Sequence, residues 1–322
     1  MRVLITGAAG MIGRRLLARL LDHGELRGST IERIDAVDIV ATGSDDPRVT
    51  DHVLDLSADG VASALSPADA EVIFHLAGVV SGEAEVDFDK GMRVNFDGTR
   101  ELFDALRAAP AAADTPRPRV VFTSSIAVFG APFPEVIPDD FHLTPLTSYG
   151  AQKAMGELML ADYTRRGFFD GIGIRLPTIS VRPGAPNAAA SGFFSGIIRE
   201  PLAGVEAVLP VPRSVVHTHA SPRTAIDFLL HAAELDGARV GDRRNLTMPG
   251  VAVTVGEQIE ALERVAGSDP VALIREEPDE FVAGIVSGWP TRFAPVRALE
   301  LGFRPDSDYD AIIRTHIADE LR

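Results

Sequence analysis

The chain has 322 residues, 46% of them hydrophobic, enough to bury a sizeable core in one large domain or two smaller ones. Its 46 acidic residues against 31 basic ones give a net charge of −15, which argues against nucleic acid or an anionic membrane surface as a partner. Zero cysteines exclude disulfides, thiolate metal sites and cysteine nucleophiles, and no apolar run approaches the roughly 20 residues that cross a bilayer.

The first strand is expected at Arg2-Val3-Leu4-Ile5-Thr6, a short β-branched run. A strand beginning at Arg2 leaves no room for a signal peptide, so the expected location is cytoplasmic. Gly7-Ala8-Ala9-Gly10-Met11-Ile12-Gly13 follows, then the helical pattern Leu16, Leu17, Leu20, Leu21. Gly7 suits a tight turn, Gly10 close backbone approach to a pyrophosphate, and Gly13 close packing of helix on strand. The free N–H groups of Met11, Ile12 and Gly13 at the helix start favour phosphate. The spacing is G-x-x-G-x-x-G, and its place between a strand and a helix marks a dinucleotide site.

A second strand over 31–37 ends at Asp38. A carboxylate there accepts hydrogen bonds from the adenosine ribose hydroxyls and repels a 2′-phosphate, and Ile39-Val40, not arginine, follow it. NAD is therefore expected over NADP; the alternative is an aspartate that only caps a turn. Asp55-Leu56 closes the next apolar run, where it could face adenine. Val72-Ile73-Phe74-His75-Leu76-Ala77-Gly78 reads as a strand ending in small residues, with His75 a satisfied core histidine in preference to a catalyst. A helix is expected over about 94–109, and residues 108–118 read as a surface loop.

Arg119-Val120-Val121-Phe122-Thr123-Ser124-Ser125 is the next strand. Ser148 is the expected N-cap of a helix running to about Arg165. That helix carries Tyr149 and Lys153, one of three tyrosines and one of only two lysines. Positions i and i+4 share a helix face, so the ammonium can stabilise a phenolate and lower the tyrosine pKa. Taken alone, the spacing fits equally a packed tyrosine beside a solvated lysine. A strand over 171–176 meets Pro177. Such alternation predicts an α/β fold: a Rossmann-type doubly wound parallel sheet with ligands at the carboxyl ends of the strands. Gly7, Asp38, Gly78, Ser125 and Pro177 all fall just after strands.

The remainder, from Thr178, is expected to form most of a smaller C-terminal α/β substrate-binding domain over 178–322, with some segments returning to the 1–177 domain. Helices are expected at about 257–266 and 309–321, with Trp289 and Pro290 packing a corner.

These residues resemble the extended short-chain dehydrogenase/reductases, the NAD-dependent epimerase/dehydratase type, over essentially the whole chain. The motifs are Gly7/Gly10/Gly13, Asp38, His75-Leu76-Ala77-Gly78, Asn95, Thr123-Ser124-Ser125, Tyr149-Gly150-Ala151-Gln152-Lys153 and Arg182-Pro183-Gly184. The resemblance implies an oxidoreductase in which Tyr149 is the general base, Lys153 tunes it and holds the nicotinamide ribose, and Ser125 orients the reacting hydroxyl. It also implies that Ala77, Gly78, Asn95, Pro177 and Thr178 line the cofactor channel, and that the chain is a homodimer through the helices near 94–109 and 148–165. Asn95 could equally be a structural amide.

The family's Val-Tyr-Gly corner reads Val128-Phe129-Gly130 here, a departure from the sugar-nucleotide epimerases. The Thr-Asp-Glu of the dehydratases is replaced by Ser125-Ile126-Ala127, and the diphosphate-binding pattern is absent from the stretch 211–221. The block from Arg182 to Leu202 is instead similar to the D-erythronate dehydrogenases. That implies oxidation of the C2 hydroxyl of a small sugar acid, D-erythronate to 2-dehydro-D-erythronate, with no metal. Arg182 and Arg199 are candidates for the carboxylate, since arginine offers it a two-pronged match. Ser81, Thr178, Ser191 and His217 are candidates for hydroxyls. Arg199 could instead pair with neighbouring Glu200, and Arg182 could be a hinge residue. A sugar-nucleotide 4-epimerase and a non-catalytic NAD-binding protein are the alternatives; retention of both Tyr149 and Lys153 counts against the latter.

Overall fold

The computed structural model describes residues 1–109, 117–184 and 191–321, so most of the expected 108–118 loop and residues 185–190 of the Arg182 block lie outside the described residues. The chain forms two interleaved compact units. The first comprises Met1–Val128, Thr147–Arg175 and Ile226–Leu246. The second comprises Phe129–Leu146, Leu176–Ala225 and Thr247–Arg322. The excursion of Phe129–Leu146 into the second unit has no counterpart in the sequence reading, because no change in composition marks either crossing.

The first unit is built on a seven-stranded sheet: β1 (Arg2–Thr6), β2 (Arg33–Asp38), β3 (Val49–Val53), β4 (Val72–His75), β5 (Arg119–Ser125), β6 (Asp170–Leu176) and β7 (Asn245–Thr247). Their spatial order is β7-β6-β5-β4-β1-β2-β3, and β3-β2-β1-β4-β5 pair in parallel. Register places Thr6 opposite both Val37 and His75. The carboxyl ends of β1, β2 and β4 therefore finish level, bringing the Gly7 turn, Asp38 and the segment after His75 to one edge. β5 runs three residues past the His75–Phe122 pair, carrying Thr123, Ser124 and Ser125 beyond that edge.

Helices cover the sheet: α1 (Met11–His23), α2 (Gly98–Ala108) and α3 (Ser148–Arg165). One core cluster joins Leu4, Ile73, Val120 and Phe122 of the sheet to Leu102, Phe103 and Leu106 of α2 and Leu160 of α3. A Cβ at Gly156 would lie 2.8 Å from the Phe122 ring, so α3 lies close against β5 and delivers its buried face to that strand.

Three boundaries differ from expectation. Ile31 is buried but bonds the Gly24 carbonyl in a turn, so strand pairing begins only at Arg33. The helix before Ala109 begins at Phe88 and is interrupted by a π-helical turn, Met92–Asp97, that apolar periodicity does not reveal. Thr147, not Ser148, caps α3: it is extended, and its hydroxyl accepts from the Gly150 N–H at 3.1 Å.

The second unit is a small α/β body. Its three-stranded sheet pairs Thr178–Ile179 in parallel with Val216–Ala220, which runs antiparallel to Val251–Thr254. Helices Gly192–Leu202, Val255–Ala266 and Tyr309–Glu320 supply Phe194, Ile197, Ile198, Ile259, Leu262 and Ile312 to its core. Val255–Ala266 starts with a reciprocal capping box between Thr254 and Glu257. Trp289 packs 5.6 Å from the His217 ring, as expected of a corner residue.

Candidate active site

The glycine turn after β1 meets the steric demands of a dinucleotide cradle. Gly7 sits at φ +73°, and a Cβ on Gly13 would lie 2.2 Å from the Gly7 carbonyl oxygen. Gly10 caps α1 without a side chain, and no acidic residue occupies the first turn, so the N–H groups of Met11, Ile12 and Gly13 suit pyrophosphate oxygens. Asp38 braces this turn, accepting from the Ala9 N–H at 2.9 Å on one oxygen and the Ile39 N–H at 2.7 Å on the other. Each carboxylate oxygen keeps a second lone pair for a ribose hydroxyl. Asp55 accepts from both the N–H and the hydroxyl of Ser57, while Leu56 is buried in the core cluster.

The segment after β4 is held by a buried chain of polar groups. Thr99 donates its hydroxyl to the Asn95 carbonyl at 2.8 Å, so it accepts from His75 Nε2 at 2.9 Å. His75 Nδ1 is then the acceptor for the Thr6 hydroxyl at 2.7 Å, and Thr6 in turn accepts from the Ala77 N–H at 3.3 Å. His75 is fully buried, and desolvation, helped by nearby Lys153, pushes its pKa down to about 3. It is a neutral core histidine. Asn95 is fully buried, and its Oδ1 accepts from the Val79 N–H at 2.8 Å.

Ser125, Tyr149 and Lys153 all belong to the first unit, at the end of β5 and on the first turns of α3. Lys153 is 3% exposed, and its Nζ donates to the Thr123 carbonyl at 3.0 Å. The ammonium lies 5.0 Å from the Phe122 ring centroid and 5.9 Å from that of Tyr149. Burial lowers its pKa to about 8, against the opposing pull of Glu157. Ser125 and Tyr149 are half-buried. The Ser125 oxygen accepts from the Ala127 N–H at 3.1 Å, which leaves the hydroxyl proton to donate elsewhere.

Glu157 was not singled out from sequence. It is fully buried one turn beyond Lys153, takes a two-pronged ion pair from Arg175 and accepts from Ser124 at 2.5 Å. Its position eight residues after Tyr149, on the same helix face, was the available signal.

The remaining substrate candidates, apart from Ser81 at the start of the helix Ser81–Val86, lie in the second unit. Arg182 donates to the Ile179 carbonyl at 3.2 Å and the Ser191 hydroxyl at 3.3 Å. Arg199 donates to the Arg182 carbonyl at 2.7 Å and pairs with Glu200 at 2.5 Å, so it buttresses the Arg182 backbone. His217 is 3% exposed and stacked on Phe194, with Nε2 2.7 Å from the Thr178 hydroxyl. Burial takes its pKa down to about 4, against a bond with the Pro290 backbone that raises it. Pro177 is buried. Phe129 is buried among Phe141 and Phe293, each 5.9 Å away. Arg213, the one arginine in the stretch 211–221, pairs with Glu276. Among the described residues no group of acids and histidines could hold a metal ion, and no helix is long and apolar enough to cross a membrane.

The profile of the NAD dependent epimerase/dehydratase family matches residues 3–219. The chain belongs to that family. As a member of the NAD-dependent epimerase/dehydratase family it is an enzyme, and its cofactor is NAD. A D-erythronate dehydrogenase from Cupriavidus necator is 48% identical, covering 99% of this chain and 98% of that protein. One from Haemophilus influenzae is 39% identical over the full length of both. A crystal structure described as the nucleoside-diphosphate-sugar epimerase from Agrobacterium tumefaciens is 59% identical, with a TM-score of 0.96, covering all of this chain and 94% of that one.

Proposed function

We propose that this enzyme is a dehydrogenase that oxidises the C2 hydroxyl of a small 2-hydroxy sugar acid, D-erythronate, to the 2-keto acid. The observation that carries the reading is full-length similarity to two D-erythronate dehydrogenases. The phenolate of Tyr149 takes the hydroxyl proton. Ser125 donates its remaining proton to the same oxygen, and the Lys153 ammonium stabilises the phenolate and binds the nicotinamide ribose. NAD, when bound, accepts the hydride from that carbon. Arg182, fixed beside Ser191 and with its backbone held by Arg199, binds the substrate carboxylate, while Thr178 and Ser81 receive its hydroxyls. Asp38 selects NAD by accepting from the free ribose diol. We place the enzyme in the cytoplasm as a homodimer.

The second reading, a sugar-nucleotide epimerase, is favoured by the description of the Agrobacterium tumefaciens protein. Against it stand the buried Phe129, which offers no hydroxyl, and the pairing of Arg213 with Glu276. The test is a screen of purified protein with NAD against four- to six-carbon aldonates and several nucleoside-diphosphate sugars, following NADH absorbance. NADH formation with D-erythronate supports the assignment. Conversion of a nucleoside-diphosphate sugar with no activity on any aldonate overturns it.

A further inference from the structure

Gln152 lies inside the Tyr149–Lys153 motif, yet its side chain takes no part in the chemistry above. It is 1% exposed, and its Oε1 accepts from Asn95 Nδ2 at 2.8 Å. The direction of that bond is fixed from outside the pair. The Val79 N–H can only donate, so the oxygen of the Asn95 amide must face it, and the amide NH₂ must face Gln152. An acceptor at Gln152 therefore holds Asn95 in the one orientation that also holds Val79. At the other end of the same short segment the Ala77 N–H is held by Thr6. Between these two anchors lies Gly78, where a Cβ would meet Asn95 Oδ1 at 2.9 Å and Lys153 Nζ at 3.4 Å.

We infer that Gln152 is a positioning residue for the cofactor: by orienting the Asn95 amide it fixes the Ala77–Val79 backbone against Lys153, where the nicotinamide ribose binds. The π-helical turn Met92–Asp97 is part of the device, since it carries Asn95 at this point of the chain. Without the acceptor, a buried Asn95 NH₂ has no partner, and turning the amide over would set its NH₂ against the Val79 N–H. Either outcome loosens the segment. The inference needs NAD as cofactor and is independent of the substrate's identity.

The experiment is a titration of NADH fluorescence, with melting temperature recorded for every variant. Gln152→Met, close in size but without the acceptor, is expected to raise Kd for NADH about tenfold, the effect of one buried hydrogen bond. KM for NAD should rise in parallel, with a smaller change in kcat. Gln152→Glu keeps an oxygen facing Asn95 and should bind NADH within about threefold of wild type. Because Gln152 acts through Asn95, adding Gln152→Met to Asn95→Ala should cost little beyond Asn95→Ala alone. Wild-type affinity in Gln152→Met, a fully multiplicative double mutant, or a fall in kcat with unchanged NADH binding each overturns the inference. If Gln152→Met does not fold, Gln152→Glu decides: near wild-type binding supports the role, and a tenfold loss overturns it.

Discussion

Replacing Lys153 by methionine should destabilise catalysis and stabilise the fold, in a way that depends on pH. The ammonium is 3% exposed, and its pKa falls from 10.5 to about 8 because burial penalises the charged form. A lysine with a depressed folded pKa contributes most to stability above its unfolded pKa and loses that contribution as pH falls towards the folded value. In wild type the cost of the buried charge is about 3 kcal/mol at pH 7 and about 1 kcal/mol at pH 10. Methionine carries no proton and has no such dependence. The stability of Lys153→Met relative to wild type should therefore shrink by about 2 kcal/mol between pH 7 and pH 10. The absolute gap also contains the lost bond to the Thr123 carbonyl and the lost contact with Phe122, but only the ammonium makes it move with pH. Urea unfolding of both proteins without added NAD, at one protein concentration, measures it. A gap constant to within about 0.5 kcal/mol over this range would mean that the ammonium is well solvated, and the argument for its influence on Tyr149 would fail.

Tyr149→Phe should lower turnover by about 10²–10⁴-fold, the usual contribution of a general acid–base group, while NADH still binds; retention of more than about a tenth of turnover would refute its role as base. Asp38→Ala should narrow a preference for NAD over NADP of at least about tenfold, read from the two dissociation constants, and equal affinities in wild type would remove the reason for the assignment. Arg182→Ala should raise KM for the acid about 10- to 150-fold with little effect on KM for NAD, from the loss of one charge-assisted hydrogen bond. A normal KM in that variant would move the carboxylate elsewhere. Because His75 is buried neutral with a pKa of about 3, acid should destabilise wild type relative to His75→Gln by about 1.4 kcal/mol per pH unit as pH falls from 6.5 towards 3; parallel pH–stability curves would contradict a buried neutral imidazole.

The parts of this protein legible from sequence are those whose chemistry is local. β1, the glycine turn and α1 follow from a β-branched run, three glycines and a leucine period, and β5 closes on its three hydroxyl residues, Thr123, Ser124 and Ser125. That Tyr149 and Lys153 share a helix face was legible from their spacing, but the burial of Lys153 was not, since the same spacing fits a solvated lysine. What could not be read depends on partners distant in sequence. Gln152 and Asn95 are 57 positions apart, and Glu157 and Arg175 are 18 apart on different elements. The π-helical turn leaves no apolar signature, since it changes hydrogen bonding without changing which residues are buried. Arg199 shows the converse: its neighbour Glu200 was visible, but its bond to the Arg182 carbonyl, which makes it a support for that loop, was not.

The placement of Glu157 bears on how α3 carries a buried lysine. Tyr149, Lys153 and Glu157 recur every four residues and share a helix face. A carboxylate one turn from a buried ammonium would ordinarily form an ion pair with it and hold its pKa up. Here Arg175 takes both Glu157 oxygens, and Ser124 donates to one of them, so the carboxylate is neutralised on the β6 side. The Lys153 ammonium instead bonds a neutral carbonyl, Thr123, and its pKa falls to about 8 despite Glu157. That desolvated charge lies 5.9 Å from the Tyr149 ring centroid, where the proposed mechanism uses it to stabilise the phenolate. In the proposed mechanism the Arg175–Glu157 pair would keep a competing carboxylate from the Lys153 ammonium.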